Sequence, residues 1–437
     1  MNKEKVIIIG AGAAGLMAAR ELEKAGISFL IMEATDRVGG RAYTRQEDPI
    51  IELGPEFLHG ETPLTEELME EFKLTWCDFQ FDQHIYTDGK LTQVPDFWDR
   101  LCGVISDIKL SDKDIPFSEY MSKLDHHNDY DKKIARSFIQ GFDAADLGLI
   151  STKVVSEMKD QACDPKVRKM RRPVDGYGRL MKNLSAPFTN QIRYSHRINK
   201  IQWSHDSVVV RGTVGEGRVP FLLEGKHVIV TTSLAVMKNI EFDPMPEELQ
   251  NYIDQNMMGH VTKMIAQLSS EFFHTFPDGN FPFIASPDMC FTAWWTTTPI
   301  HTGLVTGWSG GEKARRLEKK TLEERREVFI QELATITGQC PMKITSWLIK
   351  LHHHDWSADE NFLGAYSYPR VHQGERQVPE TAFEETLFLA GEAYHPEFSG
   401  TVEAALTTGK EAAEKIIKLS HTIKHHPSSA RSPGPSV

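Results

Sequence analysis

The chain has 437 residues, 40% of them hydrophobic and 25% charged, enough for a large core in two or three folding units. Its formal net charge of −12 is the wrong overall sign for a phosphate-backbone partner, so nucleic-acid binding is disfavoured and a cationic small molecule fits better. No run approaches the roughly 18 apolar residues of a membrane span, and the opening apolar run is too short for a signal peptide, so a soluble, cytoplasmic protein is expected.

Lys5 to Ile9 is an unbroken apolar strand of the kind buried in a parallel sheet. Ala13 to Ala25 predicts a helix closed by Gly26, and Ser28 to Met32 a second strand ending at Glu33. Together they make a βαβ unit of about thirty residues. From Pro63 to Ser185 the pattern is mainly helical and mixed. Strand signals return at Gln191 to Ile201, Ser207 to Thr213 and His227 to Thr231, with a hairpin turn over Val214 to Arg218. Val261 to Ser269 alternates like a strand, Thr321 to Thr337 reads as a charged amphipathic helix, and Leu387 to Ala390 as a short strand. Thr401 to Leu419 predicts a last helix with one apolar face. The polar tail 421–437, rich in Ser, Pro and His, is expected to be disordered.

This order implies an α/β fold: a discontinuous Rossmann-type nucleotide-binding domain (1–75, 170–232 and 385–420) and a mixed-sheet plus helical substrate domain (76–169 and 233–384). The five cysteines, Cys77, Cys102, Cys163, Cys290 and Cys340, are scattered and odd in number. They predict a reducing compartment, no disulfide framework and no metal centre. His352, His353 and His354 sit on an extended segment where neighbours point opposite ways, and are expected to be solvated.

Gly10-Ala11-Gly12-Ala13-Ala14-Gly15 matches GxGxxG. The glycines serve a tight turn, close approach of backbone to a pyrophosphate, and close helix–sheet packing. The helix N-terminus offers free N–H groups to phosphates, and Glu33, about twenty residues on, is placed to accept ribose hydroxyls. NAD and FAD share this fingerprint. The continuation Arg37-Val38-Gly39-Gly40-Arg41 favours FAD, because Gly40 lets the backbone curl beside a diphosphate while Arg41 supplies a planar fork of donors.

With these elements the sequence resembles the flavin-containing amine oxidase family, which includes monoamine and polyamine oxidases. Further carriers are Glu52-Leu53-Gly54-Pro55-Glu56-Phe57-Leu58-His59-Gly60, then Gly259-His260-Val261-Thr262-Lys263, Trp356 with Gly364-Ala365-Tyr366-Ser367, and Leu389-Ala390-Gly391-Glu392 with Ser399-Gly400-Thr401-Val402-Glu403. The resemblance implies an FAD-dependent enzyme that oxidises the C–N bond of a small amine, with oxygen as acceptor and hydrogen peroxide as product. A dehydrogenase with a carrier protein, a desaturase and an amino-acid oxidase are the alternatives. The arginine that amino-acid oxidases place in the Glu56 stretch is missing, which favours an amine.

The resemblance also implies roles. Gly54, Pro55, Ile198, Trp356, Gly391 and Glu392 would contact the cofactor, and Thr401 and Val402 would aim backbone N–H groups at the flavin pyrimidine, where negative charge develops on reduction. Lys263 shares a strand face with Val261 and Ile265. By spacing alone it is a snorkelling edge residue or a partly buried group; the resemblance makes it the lysine that holds a water near flavin N5 and assists reoxidation. Tyr366 matches one wall of an aromatic cage, and Phe398 or the Thr401 position supplies the other. Glu56, Phe57 and His59 lie beside the flavin edge as substrate-contacting candidates. Ala365 stands where monoamine oxidases carry the flavin-attaching cysteine, so non-covalent FAD is expected.

Overall fold

The computed structural model describes residues 4–109, 113–157, 159, 163–164, 168–372 and 379–424. The opening strand, Glu4–Ile9, runs parallel between Phe29–Met32 and the second half of Val219–Val230 in a nine-stranded sheet. Its apolar run is unbroken because it feeds two cores: Val6 and Ile8 pack on one face of the sheet, Ile7 and Ile9 on the other. Leu387–Leu389 adds in parallel beside Val228 to Val230. Strands from the start, middle and end of the chain therefore lie side by side. Ser207–Val214 folds back on Val219–Val230 through a turn with Gly215 and Arg218 at positive φ, as the glycine spacing predicts.

Helix Ala13–Lys24 covers one face of this sheet together with the last helix, Val402–Lys424. Leu16, Ala18 and Ala19 of the first share a core with Leu406, Ala413 and Ile416 of the last. The two helices touch backbone to backbone: a Cβ on Gly409 would lie 2.2 Å from the Ala14 carbonyl oxygen.

A second sheet of seven strands carries Val261–Leu268 between Leu348–His353 and Leu304–Gly310. A third, small sheet pairs Met170–Pro173 with Leu58–His59 and Trp76–Phe79. The stretch from Pro63 to Ser185 thus contributes strands as well as the expected helices, among them Asp129–Phe142.

Three expectations are corrected. Cys102 and Cys163 form a disulfide with Cα atoms 5.6 Å apart, so the cysteines are not all free; helix Phe97–Ser106 carries Cys102 up to a segment 61 residues further along. The histidine run is not solvated. Leu348–His353 pairs along Val261–Leu268, which buries His352; His353 Nδ1 donates to the Lys263 carbonyl at 3.0 Å, and His354 bonds Asp359 at 3.1 Å. The last helix continues past Leu419 to Lys424 because Ser420 still packs inward; the rest of the predicted tail, 425–437, lies outside the described residues. Among the described residues no helix is long and apolar enough to cross a membrane.

Candidate active site

One cavity of about 610 Å³ runs from the glycine turn to the seven-stranded sheet, a size suited to a ligand-binding cleft. At the turn, Gly10 leaves the sheet with φ +104°, and a Cβ on Gly15 would lie 2.0 Å from the Gly10 carbonyl. Gly15 therefore sits beneath the turn, where it lets helix and strand pack closely, and it does not line the cavity. Gly10, Gly12 and Ala14 do. A Cβ on Gly12 would meet nothing within 4 Å, so this face is open to a pyrophosphate.

Glu33 is buried at the end of Phe29–Met32. Its carboxylate accepts the Ala11 N–H at 2.7 Å and the Thr35 N–H at 2.8 Å, which braces the turn from the side where a ribose would lie. Gly40 packs against Gly12, and the Gly39 N–H bonds the Ala11 carbonyl at 2.8 Å, so the two glycine loops are joined. Arg41 Nη1 donates to Glu392 at 2.8 Å and to the Ala365 carbonyl at 2.7 Å. That ties its guanidinium to the opposite end of the chain and holds it at the cavity wall.

The far wall comes from the C-terminal elements. Gly391, at φ 147°, donates its N–H to Thr408 at 2.9 Å. Glu392 accepts from Ser367 Oγ at 2.7 Å and the Gly400 N–H at 3.2 Å. The Thr401 hydroxyl accepts the Ala404 N–H at 3.0 Å and donates to the Phe398 carbonyl at 2.8 Å. It caps the helix that Val402 begins, and points that N-terminus at the cavity. Because this hydroxyl is used in capping, Phe398 is the better candidate for the second aromatic wall. Tyr366 packs 3.3 Å from where a Gly400 Cβ would be, so Gly400 is the residue that makes room for that ring. Ile198, Gly54, Pro55 and Trp356 also line the cavity, with Trp356 Nε1 donating to the Leu53 carbonyl at 3.1 Å.

Lys263 is neither solvated nor at an edge. It is 2% exposed, and its Nζ donates to Glu56 Oε2 at 2.8 Å and to the Gly54 carbonyl at 3.2 Å. Glu56 is shared. Arg172 Nη2 reaches its other oxygen at 2.9 Å, and Trp295 Nε1 lies 3.2 Å from both. Burial works to raise the Glu56 carboxyl, but Lys263 and Arg172 outweigh it and hold it below the usual range. The nearby Glu52 feels Lys263 only at a distance and makes no ion pair among the described residues. Burial pushes it up to about 7 despite hydrogen bonds from Thr44 and the Tyr177 N–H.

Between this cluster and helix Asp129–Phe142 the cavity is aromatic. Phe57 lies 5.7 Å from His59 and 5.6 Å from Trp295, and His59 lies 5.4 Å from Phe142. His59 faces the cavity, so its ring has accessible surface, but the cavity walls crowd it and thin its hydration. That desolvation lowers it from 6.5 to about 4, leaving a neutral ring with a lone pair for an amine N–H. The sign gives a prediction. The unfolded chain takes up this proton before the folded one does, so stability falls as pH drops from about 6.5 to about 4. In denaturation curves across that window, His59→Gln should lose less stability than the parent; equal losses would show that the ring titrates normally.

All the sequence-predicted site residues except Gly15 line this one cavity. Sequence reasoning missed Arg172, Trp295 and Asp143, which also line it or close its wall. The paired Arg171-Arg172 on a short strand was the available signal for the first: Arg171 turns to the Gly60 carbonyl at 2.6 Å while Arg172 turns to Glu56. Among the described residues the one group with metal-ligand spacing is Asp107, His126 and His127, none of which lines the cavity.

The family model described as flavin containing amine oxidoreductase matches residues 13–417. The chain is 26% identical to polyamine oxidase 2 of Arabidopsis thaliana, over 94% of this chain and 87% of that protein. It is 24% identical to (S)-6-hydroxynicotine oxidase of Paenarthrobacter nicotinovorans, over 94% and 99%. Among solved structures, putrescine oxidase bound to putrescine matches with a TM-score of 0.81 at 18% identity, covering 95% of this chain and 99% of that one. Cyclohexylamine oxidase from Brevibacterium oxydans matches at 0.79 and 18%, covering 96% and 100%.

Proposed function

The chain belongs to the family of flavin-containing amine oxidoreductases, FAD-dependent enzymes acting on CH–NH or CH–NH2 groups, and from that premise we propose that it oxidises a small amine with oxygen as acceptor, releasing hydrogen peroxide. The observation that carries this reading is the continuity of one cavity from an open glycine turn to an aromatic chamber floored by a buried lysine. The turn at Gly12, Glu33, Arg41 and the capped helix at Thr401 and Val402 would hold FAD, with Gly54, Pro55, Ile198, Trp356, Gly391 and Glu392 around it. Ala365 offers no thiol, so the cofactor would be held without a covalent link. Bound there, FAD supplies the two-electron acceptor for the hydride equivalent that leaves the carbon next to nitrogen.

The protein's own part is positioning. Tyr366 and Phe398 form apolar walls that tolerate a cation, Phe57 closes the chamber, and neutral His59 accepts from the substrate amine. Lys263 uses two of its three N–H donors on Glu56 and Gly54, which leaves the third for a water beside the reacting centre. An amino-acid substrate is disfavoured: both terminal nitrogens of Arg172 are occupied, by Glu56 and by the carbonyls of Thr296 and Thr298.

A peroxide-coupled screen of mono-, di- and polyamines against amino acids tests the reading; turnover of amino acids alone would overturn it. Lys263→Met is expected to slow reoxidation of the reduced enzyme by oxygen at least about tenfold while FAD stays bound, as read by stopped-flow absorbance. Unchanged oxygen kinetics would remove Lys263 from this role, and slow reoxidation of the parent would favour a carrier protein as acceptor.

A further inference from the structure

Outside the cavity, one group of side chains has no part in the proposed chemistry. Asp107 follows helix Phe97–Ser106 as its C-cap, and His126 and His127 lie in the turn just before helix Asp129–Phe142. On an extended chain adjacent side chains point opposite ways. This turn instead brings both rings to one side, with centroids 4.5 Å apart, and each Nε2 lies 2.7 Å from the same oxygen, Asp107 Oδ2. The three ligand atoms lie within 4.8 Å of one another. The scattered cysteines argue only against a thiolate centre and say nothing about two imidazoles and a carboxylate.

The backbone beneath the group is held in place. Leu124, just before the turn, is buried with Leu101, Val104 and Ile105 of the first helix. Asn128 caps the second helix by accepting the Asp131 N–H at 2.9 Å, and Asp131 pairs with Arg100 of the first at 2.8 Å. The His127 ring lies over the first helix, where a Cβ on Gly103 would be 3.9 Å from its Cε1. His126 and Asp107 are exposed, so water can reach the remaining coordination positions. Among the described residues Asp107 pairs with the two imidazoles and with no Lys or Arg, so no fixed cation competes for the site.

We propose that Asp107, His126 and His127 form a surface site for a borderline divalent cation such as Zn2+, which clamps these two helices together. Imidazole nitrogen and carboxylate oxygen are ligands such an ion takes, at about 2.0–2.2 Å and with four neighbours. Each imidazole turns its Nε2 lone pair to the ion and carries its proton on Nδ1. The ligand atoms must part to about 3.3 Å, which a small rotation of exposed side chains allows, and water fills the fourth position. The clamp joins the ends of the two helices that lie away from Phe97, Trp98, Phe138 and Phe142, which line the cavity. None of the three ligands lines it, so this assignment is independent of the amine-oxidase reading.

The test is made on the full, FAD-loaded chain after metal has been stripped by a chelator that is then removed. Titration of Zn2+ against a chromophoric chelator should show a site of roughly micromolar dissociation constant, weaker than four-ligand structural sites. Mg2+ in about hundredfold excess should leave the zinc in place, because imidazole is a poor ligand for it. The His126→Gln, His127→Gln double variant should weaken this site at least about a hundredfold, more than losing a group that merely orients a ligand. Asp107→Asn should weaken it as well. At saturating zinc, amide exchange at the joined ends of both helices should slow about tenfold or more in the parent and be unchanged in the double variant. Zinc affinity equal to the parent's in both variants, displacement by Mg2+, or binding that slows exchange in neither helix would overturn the assignment. So would a parent that takes up no zinc, a result that requires no variant to fold.

Discussion

Glu56→Gln is expected to destabilise the protein by about 3–5 kcal/mol, the range for removing one partner of a buried ion pair. Lys263, Arg172 and Glu56 are all less than a tenth exposed, so solvent does little to screen the change. The variant leaves two cations around one amide, in a site where Trp295 also loses part of its acceptor. Chemical denaturation at pH 7 measures the loss, and the Glu56→Gln, Arg172→Met double variant should recover part of it because the surplus charge is gone. A loss under about 1 kcal/mol would mean that the cluster does not depend on its shared carboxylate. The pH dependence follows from the same geometry. Since the folded carboxyl titrates below its ordinary 4.5, its contribution is complete at neutral pH and disappears as pH falls below that value. In Glu56→Gln the acid limb of the stability profile should be flatter. Oxygen reactivity should fall with stability, because Lys263 loses the group that aims it.

The second large effect is expected at Gly409→Ala. The added methyl would lie 2.2, 2.8 and 2.9 Å from the backbone O, C and Cα of Ala14. No side chain can rotate away from that contact, so the two helices must separate. Overpacking of this kind costs roughly 1–3 kcal/mol, and here the displaced residue is inside the glycine turn. Loss of bound flavin should therefore exceed the loss of fold: purified protein would be folded by circular dichroism yet pale, with the cofactor's dissociation constant raised at least about tenfold for each 1.4 kcal/mol of strain. Flavin content equal to the parent's would show that the helices can separate without disturbing the turn.

The contrast between these two sites shows what the sequence makes legible. The glycine turn is readable because its demands are local: positive φ at Gly10, open space at Gly12 and close packing at Gly15 each follow from the backbone of a few adjacent residues. The opening strand was readable for a similar reason, since burial on both faces requires an uninterrupted apolar run. Lys263 was readable as a strand residue but not as half of an ion pair, because its partner Glu56 lies 207 residues away and alternation carries no record of cross-chain contacts. The disulfide escaped because an odd cysteine count says nothing about two thiols that the fold brings together. The histidine run escaped because burial on Leu348–His353 is set by the neighbouring strand. Asp143 follows an amphipathic helix and looks like any polar cap; only the missing hydrogen-bond partner at its buried Oδ2 distinguishes it.

The placement of the last helix has a consequence for biosynthesis. The glycine turn is made from residues early in the sequence, but Glu403, which accepts the N–H groups of Leu64 and Thr65, and Gly409, which seats Ala14, come far later along it. A nascent chain that stops before Val402 would have the glycine turn proposed to grip one end of the coenzyme and nothing to cover the other. Flavin loading therefore reports that translation has passed the last helix described, and premature termination anywhere before Val402 should yield colourless polypeptide however much of the two sheets has formed.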